Sequence, residues 1–199
     1  MKNYLVFIIF ILSFNVFSSA LVTKDIKAQK LLIQSKIIFY GNSAREELAD
    51  AIVDEIQRLW NAARGEVILN GRSYDLDFQI SHQIVSVAKA KELAKSLNSV
   101  IYNFVRLEKR STQGTSHFTI GGNSSLMVEQ SNLGKSTTAA HEYGHGLGLR
   151  HESDIRDWRG LGNPGIMGEA GLLVDEHLQV ASSGTFDKFK RIVTARNIK

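Results

Sequence analysis

The alternation of hydrophobic and polar residues over the first part of the chain predicts a strand followed by a long helix. Residues 36–40 are β-branched or aromatic and predict a buried first strand, whereas the lysine-containing segment 21–35 predicts a solvated lead-in. Ser43 and Glu46 have the spacing of a capping box at a helix start. The apolar residues behind it recur at helical spacing as far as Gly65: Leu48, Ile52, Ile56 and Leu59. We therefore expect an amphipathic helix that packs on the core.

Strands and helices continue to alternate through the rest of the chain. Asn70-Gly71 lies between two strand-like runs, which is the strongest short signal for a β-hairpin. The later predictions are a second helix over 87–97, a strand over 100–107, two strands over 116–120 and 125–129, a helix capped by Ser136 or Thr137, and a last helix after Thr185.

Residues 1–20 have the three parts of a secretory signal peptide. A positive start at Lys2 precedes an almost wholly apolar run from Tyr4 to Phe17, and small residues follow at Ser18 to Ala20. The apolar run is shorter than the roughly 20 residues that a membrane span needs, so we expect cleavage after Ala20 rather than an uncleaved anchor. The mature protein is then secreted or periplasmic, without a membrane partner.

Composition narrows the function classes further. The net charge of +4 is mildly basic, and the absence of a basic cluster with interleaved aromatic residues argues against nucleic-acid binding. The chain has no cysteine, so an exported protein of this composition has no disulfide framework. Its stability must then come from its core and from bound metal. Without repeats, linkers or low-complexity segments, we expect a single, monomeric domain.

The segment from His141 to His151 carries the chemistry of the chain. It follows the pattern H-E-x-x-H-x-x-G-x-x-H, in which two histidines four residues apart leave one face of a helix. Gly148 allows a sharp turn of the backbone that brings His151 round as a third ligand. Three neutral imidazoles suit zinc and leave its fourth position open for catalysis. Glu142 is placed to take a proton from a zinc-bound water and to pass it to a leaving group.

The full pattern is needed for this interpretation, since H-E-x-x-H alone also arises by chance in unrelated helices. The segment gathers three of the six histidines of the chain. His117 is a further candidate ligand, although a histidine on a strand is the preferred interpretation. Asp25 could cap the metal from the lead-in, or it is simply a solvated residue. A Ca²⁺ site in the charged loop 152–159 is unsupported, because no calcium-binding spacing is present.

The eleven residues from His141 resemble the signature of the metzincin clan of zinc endopeptidases. The resemblance extends to Gly165-Ile166-Met167-Gly168, where Met167 stands at the position of the methionine turn below the metal. It implies an α+β (mixed α/β) fold, with a twisted mixed sheet that has an antiparallel edge strand. A long backing helix, the zinc helix and a small C-terminal subdomain with the methionine turn and a final helix complete the implied fold.

The same resemblance divides the chain and assigns a substrate strand. An extension or short prosegment covers 21–35, and the catalytic domain covers 36–199, with an upper part at 36–148 and a lower part at 149–199. The strand before the zinc helix becomes an edge to which an extended peptide can add by main-chain hydrogen bonds. The residues of this strand are His117, Phe118, Thr119, Ile120, Gly121 and Gly122.

The residues point to more than one subfamily. The short distance from His151 to Met167 is similar to the matrixins and small bacterial relatives, whereas Glu152, directly after the third histidine, is similar to the astacins. Astacin and serralysin types carry a tyrosine two residues after the methionine. This chain has Glu169 there, so no tyrosine ligand or transition-state donor is carried over.

The resemblance implies a secreted zinc-dependent endopeptidase that acts on protein or peptide substrates. One Zn²⁺ ion would be held by His141, His145 and His151, with Glu142 as general base and then acid. Met167 would shape the floor of the site without binding the metal. Two alternatives are a zinc-stabilised binding module without catalysis and a protease toxin with one narrow target. The presence of Glu142 argues against the first, because a purely structural metal site needs no base.

Overall fold

The computed structural model describes residues 20–96, 101–111, 115–151 and 166–167. In these residues a seven-stranded mixed sheet is combined with three α-helices, which confirms the α+β prediction. The elements are β1 (Leu21–Asp25), β2 (Lys30–Tyr40), α1 (Glu46–Ala62), β3 (Glu66–Leu69), β4 (Arg72–Ile84), α2 (Val87–Ser96), β5 (Tyr102–Glu108), β6 (His117–Phe118), β7 (Ser124–Val128), a 3₁₀ turn (Glu129–Ser131) and α3 (Thr138–Gly146). The strand order is β3-β4-β2-β5-β7-β6, with β1 paired to β2 outside this path.

β2 is the strand around which the sheet is built. It pairs in parallel with β4 along most of its length and with β5 over residues 36–40. Successive side chains of a strand point to opposite faces, and Leu31, Ile33 and Ile37 lie buried on one of them. A shift of one residue would turn this apolar set toward solvent, so burial of this face fixes the register of β2.

The segment 21–35 belongs to the sheet, so the prediction of a solvated lead-in is wrong. β2 begins at Lys30 rather than at residue 36, and β1 pairs with it in antiparallel orientation. The lysines of the segment obscured a period-two pattern, in which buried Leu31 and Ile33 alternate with partly exposed residues. Burial of alternate side chains therefore outweighs the polar composition of the segment.

Asp25 closes the turn between β1 and β2. Its Oδ1 accepts the backbone N–H groups of Lys27 and Ala28 at 3.0 and 2.9 Å, the local bonding by which an aspartate stabilises a turn. The alternative in which Asp25 caps the metal gains no support from these contacts.

The signal peptide and the division of the mature chain stay predictions, because residues 1–19 lie outside the described residues. The last helix, expected after Thr185, and the charged loop 152–159 also lie outside them. Within the part of the chain that the structure describes, no helix is long and apolar enough to cross a membrane.

The hairpin prediction at Asn70-Gly71 is confirmed. The two residues have φ angles of +51° and +77°, and a two-residue hairpin turn of the commonest type needs positive φ at both positions. Leu69 pairs with Arg72 directly across the turn. The short antiparallel strand β3 is thereby attached to the outer edge of β4.

α1 confirms the long amphipathic helix, but it does not begin with the predicted capping box. The residue at the cap is Arg45, which makes no side-chain capping hydrogen bond. Ser43 Oγ instead donates to Glu129 Oε2 at 3.1 Å, and Arg45 Nη2 donates to Glu129 Oε1 at 2.6 Å. The Ser43 hydroxyl, which the sequence spacing assigns to the helix cap, therefore donates to a carboxylate that is distant in sequence.

The core lies between the sheet and the helices α1 and α3. Trp60 of α1 packs against Phe78 of β4 and Tyr143 of α3, with ring centroids 5.2 and 6.5 Å apart. The hydroxyl of Tyr143 forms a buried hydrogen bond of 2.7 Å with Ser35 Oγ on β2. These contacts anchor α3, the helix that carries the motif, to both the sheet and α1.

Candidate metal centre

α3 presents two histidines on one side and ends in a tight turn. Helical geometry places His141 and His145, four residues apart, on the same face. Gly148 has a φ angle of +94°, a left-handed conformation that glycine adopts at little cost. The chain therefore reverses its direction directly after the helix and returns with His151.

The structure brings the three histidines of the motif together. Nε2 of His151 lies 3.2 Å from Nε2 of His141 and 3.1 Å from Nε2 of His145. The ligating atoms of the three residues all lie within 4.8 Å of one another. Nitrogen ligands that surround one tetrahedral zinc ion at 2.0–2.1 Å are expected about 3.3 Å apart. The spacing of the three rings therefore fits a single metal ion.

Two backbone carbonyls determine which nitrogen of each α3 histidine faces the centre. Nδ1 of His141 lies 2.7 Å from Ile166 O, and Nδ1 of His145 lies 2.8 Å from Leu149 O. A carbonyl oxygen can only accept, so each Nδ1 carries the proton and each Nε2 presents a lone pair. Carbonyl partners of this kind orient histidines around metals. The lone pairs converge on one point, where a cation such as zinc would be stabilised.

Burial keeps the imidazoles of α3 neutral. Desolvation lowers the pKa of His141 to about 4, the carbonyl of Ile166 opposes this, and the charges of His145 and His151 lower the pKa further. Desolvation likewise lowers the pKa of His145. Since zinc binds the neutral imidazole in competition with protons, both residues are in the ligating form at neutral pH.

Glu142 is a buried carboxylate with one oxygen that lacks a hydrogen-bond partner among the described residues. The residue is 5% exposed. Burial raises its pKa to about 7, and a hydrogen bond from the backbone N–H of Phe118 acts in the opposite direction. Among the described residues, Glu142 Oε2 has no hydrogen-bond partner. Leaving a buried acceptor unsatisfied costs on the order of 1–3 kcal/mol, so an acceptor without a partner beside the three histidines is an unusual feature of this site.

Replacing Glu142 by glutamine is expected to stabilise the metal-free chain at pH 8. The carboxyl has a pKa of 4.5 when unfolded and about 7 when folded. Between these values only the folded chain holds the proton, so Glu142 makes stability fall as the pH rises from 4.5 to 7. The shift corresponds to at most about 3 kcal/mol. Thermal unfolding of both chains should show an advantage of Glu142→Gln that grows over this range and then levels off. A difference that is independent of pH would contradict the burial argument.

Met167 packs directly on the backbone of α3. It is fully buried and follows Ile166, whose carbonyl accepts the His141 hydrogen bond. A Cβ atom built on Gly144 would clash with Met167 Sδ and lie 3.0 Å from Trp60 Cζ2. The methionine thus lies against the helix turn between the two histidines, and its function as the floor of the site stays a prediction.

Gly144→Ala is expected to destabilise the chain by about 1–3 kcal/mol, because the added methyl group overpacks a filled space. Thermal unfolding measures the loss. The same substitution should have a smaller effect in a Met167→Ala background, since the main clashing side chain has been removed. Equal losses in the two backgrounds would show that the contact between Gly144 and Met167 is not the cause.

β6 ends the sheet as the predicted antiparallel edge strand. It pairs with β7 through His117 and Phe118, and the exposed His117 is not part of the histidine group. Thr119 N–H donates to Ser124 O at 3.1 Å, toward β7. Neighbouring N–H groups of a strand point to opposite sides, so Phe118 donates to Glu142 from the outer side of β6.

The predicted edge strand is shorter than expected, because Thr119 to Gly122 form a turn. Gly122 N–H donates back to Thr119 O at 2.8 Å, and Gly121 N–H donates to His145 O at 2.8 Å. The second bond ties the turn to the end of α3. Ile120 is 48% exposed at its tip. Two glycines allow this backbone to fold over the helix end instead of continuing along β7.

The first turn of α3 is capped partly as predicted. Ser136 Oγ accepts the N–H of Thr138 at 3.2 Å, whereas Thr137, which occupies the cap position, makes no side-chain capping bond. The next two N–H groups are bound by the carboxylate of Glu55 on α1. The motif gives no indication of this residue.

A second group of metal-type side chains is formed by Glu46, Asp50 and His82. Its two carboxylates are 70% and 71% exposed, and they lie 3.2 and 3.7 Å from His82 Nε2. An imidazole N–H beside surface carboxylates accounts for this arrangement. Exposed acidic groups of this kind are common without an ion, whereas His141 and His145 of the α3 centre are buried.

No family model matches the chain, and no curated protein matches it significantly. Among solved structures, the archaemetzincin of Methanopyrus kandleri superposes with a TM-score of 0.50 at 12% identity, over 81% of this chain and 96% of that one. The chain has the metzincin fold. OgpA from Akkermansia muciniphila is similar with a TM-score of 0.38 at 16% identity, over 85% of this chain and 61% of that one. Myroilysin is similar with a TM-score of 0.39 at 12% identity, over 83% of this chain and 94% of that one.

Proposed function

We propose that this protein is a zinc-dependent endopeptidase that is exported to the periplasm or secreted. The observation that carries the proposal is the pairing of two features in one place. Three imidazole Nε2 atoms are spaced for a single metal ion, and a buried carboxylate beside them keeps an oxygen without a partner among the described residues. A metal site that only stabilised the fold would not need this carboxylate.

Zinc would be held by His141, His145 and His151. Bound there, it would lower the pKa of a water molecule from about 15.7 to roughly 7 and polarise a substrate carbonyl. The protein contributes the orientation of the ligands. The carbonyls of Ile166 and Leu149 hold two of the three rings. Their fixed geometry means that little reorganisation is needed when the metal binds.

Glu142 serves as the proton carrier of the proposed reaction. One of its oxygens is held by Phe118 N–H, which leaves Oε2 to accept the proton of the attacking water. The same oxygen then donates that proton to the amine that leaves. A pKa raised to about 7 by burial suits a group that must both take up and release a proton near neutral pH.

The substrate would be an extended peptide that lies along the outer side of β6. Phe118 N–H and Glu142 meet on that side, so a chain bound there passes the proton carrier. Main-chain hydrogen bonds to a sheet edge give affinity with little dependence on sequence. The exposed Ile120, at the end of the same edge, offers an apolar contact for a substrate side chain.

Cleavage of casein by residues 21–199, with and without a zinc chelator, tests the proposal. Cleavage that stops with the chelator and returns with added zinc is the expected result. Cleavage that persists in the chelator would contradict a zinc peptidase. A folded chain that binds one zinc but cleaves no protein would favour the binding module, and cleavage confined to one protein would favour the narrow-target toxin.

A further inference from the structure

Glu55 is a charged residue buried in the core of the domain. It lies on α1 and is 0% exposed. Its Oε1 accepts the N–H groups of Ala139 and Ala140 at 2.7 and 3.2 Å, and its Oε2 accepts that of Gly134 at 2.7 Å. Both carboxylate oxygens are therefore used by backbone donors that lie about 80 residues further along the chain.

These donors include N–H groups that α3 cannot satisfy itself. The first N–H groups of a helix have no partner within the helix. In α3 the N–H of Thr138 is bound by Ser136 Oγ, and the next two are bound by Glu55. The cap residue Thr137 contributes no side-chain bond. The start of the helix thus depends on a carboxylate from another helix.

Two side chains of α1 bind the backbone of Ala140, one at its N–H and one at its carbonyl oxygen. Glu55 binds its N–H, and Trp60 Nε1 donates to its carbonyl oxygen at 3.1 Å. Ala140 directly precedes His141 and Glu142 in the chain. A movement of this peptide along or around the helix axis would therefore displace the first zinc ligand and the proton carrier together.

The burial of Glu55 is costly, which argues that it is not present for packing alone. Desolvation raises its pKa to about 7, against the opposing effect of the N–H groups that it accepts from α3 and the loop before it. A carboxylate at a helix N-terminus is favoured by the helix dipole. An apolar residue of similar volume would often be as stable in such a position or more so, but it would leave two buried N–H groups without acceptors.

We propose that Glu55 is a positioning residue for the metal centre, which fixes the start of α3 so that His141 and Glu142 meet His151 and β6 in the ligating geometry. The inference rests on the proposed zinc site. The inference goes beyond the proposed function because it assigns the orientation of the zinc site to a residue outside the motif, on a different helix.

Glu55→Gln and Asn61→Ala form a matched pair for the test. Asn61 also lies on α1, and its side chain likewise bonds the backbone of another element, with Phe78 N–H and O at 2.9 and 3.0 Å. It does not contact α3 in these bonds. The melting temperature of each metal-free variant is measured first, so that a change in stability is recorded separately from a change in the metal centre. The zinc dissociation constant, kcat and KM are then compared.

Glu55→Gln is expected to weaken zinc binding about tenfold or more, as removal of a residue that orients metal ligands does. Its kcat on a quenched fluorescent peptide should fall about tenfold with KM nearly unchanged, since the reacting groups are misplaced while the substrate edge is intact. Asn61→Ala should leave both quantities within about twofold of the unchanged chain, because its bonds do not involve α3.

Equal effects of the two variants on zinc affinity and kcat would overturn the inference alone. A lower melting temperature of Glu55→Gln with unchanged zinc affinity and kcat would do the same. Failure of the unchanged chain to bind zinc would overturn the proposed function and this inference with it. If Glu55→Gln does not fold, Glu55→Asp keeps the carboxylate but shortens the side chain by one methylene group, which draws its oxygens away from the backbone donors of α3. It should weaken zinc binding in the same direction by a smaller factor, and unchanged affinity would again overturn the inference.

Discussion

Glu142→Gln should lower the kcat for peptide hydrolysis by about 10²–10⁴-fold, the usual contribution of a general acid–base group, while one zinc ion stays bound. Glutamine has nearly the same shape and can still accept the Phe118 N–H, but its amide cannot take up the proton of water. The three imidazoles keep their positions, because among the described residues their ring nitrogens bond to Ile166 O, to Leu149 O and to one another rather than to Glu142. Initial rates and the zinc content of the purified variant are the measurements.

Glu47→Gln is a suitable control for this substitution. Glu47 is an exposed residue in the first turn of α1, so the same chemical change there should leave kcat within error of the unchanged chain. Retention of more than about a tenth of the activity by Glu142→Gln would mean that another group carries the proton. Loss of zinc together with activity would mean that Glu142 supports the metal instead.

His145→Ala should abolish the stabilisation of the chain by zinc. A ligand at 1,000 times its dissociation constant stabilises a protein by about 4.1 kcal/mol, which for a chain of this size raises the melting temperature by about 8–16 °C. Removal of one of three ligands leaves two, and the tight site is lost. Melting curves of both chains with zinc and with chelator measure the effect. Activity should be lost as well.

His82→Ala distinguishes the α3 centre from the second histidine-containing group. His82 lies beside Glu46 and Asp50 on the surface, so its removal should leave the zinc-dependent rise in melting temperature unchanged. A rise that disappears in His82→Ala and persists in His145→Ala would place the stabilising metal at the surface group, and the proposed centre would be wrong.

The features that short sequence spacing determines could be predicted. The hairpin at Asn70-Gly71 depends on two adjacent residues that tolerate positive φ. The grouping of His141, His145 and His151 depends on helix geometry and one glycine. The length of α1 follows from its apolar period. In each case the contacts that matter lie within a few residues of one another, so tertiary packing has little opportunity to override the pattern.

The features that depend on contacts between distant residues could not be predicted. The spacing of Ser43 and Glu46 predicts a capping box, but the Ser43 hydroxyl donates to Glu129 instead. Residues 21–25 form β1 because β2 provides a pairing partner, and residues 30–35 extend β2 because their alternate side chains are buried. Composition reveals neither contact. Glu55 stands between Ile52 and Leu59 on the apolar stripe of α1. This position signals a buried charge, but the sequence does not indicate that the donors come from α3.

The most direct test of the central claim is a titration of zinc into the metal-free chain, followed by hydrolysis of a quenched peptide. Activity should rise linearly and reach a plateau at one equivalent of zinc. Glu142→Gln should bind the same single equivalent without producing activity. Activity that is present before zinc is added, or that develops equally in Glu142→Gln, would contradict a peptidase that works through this histidine centre and this carboxylate.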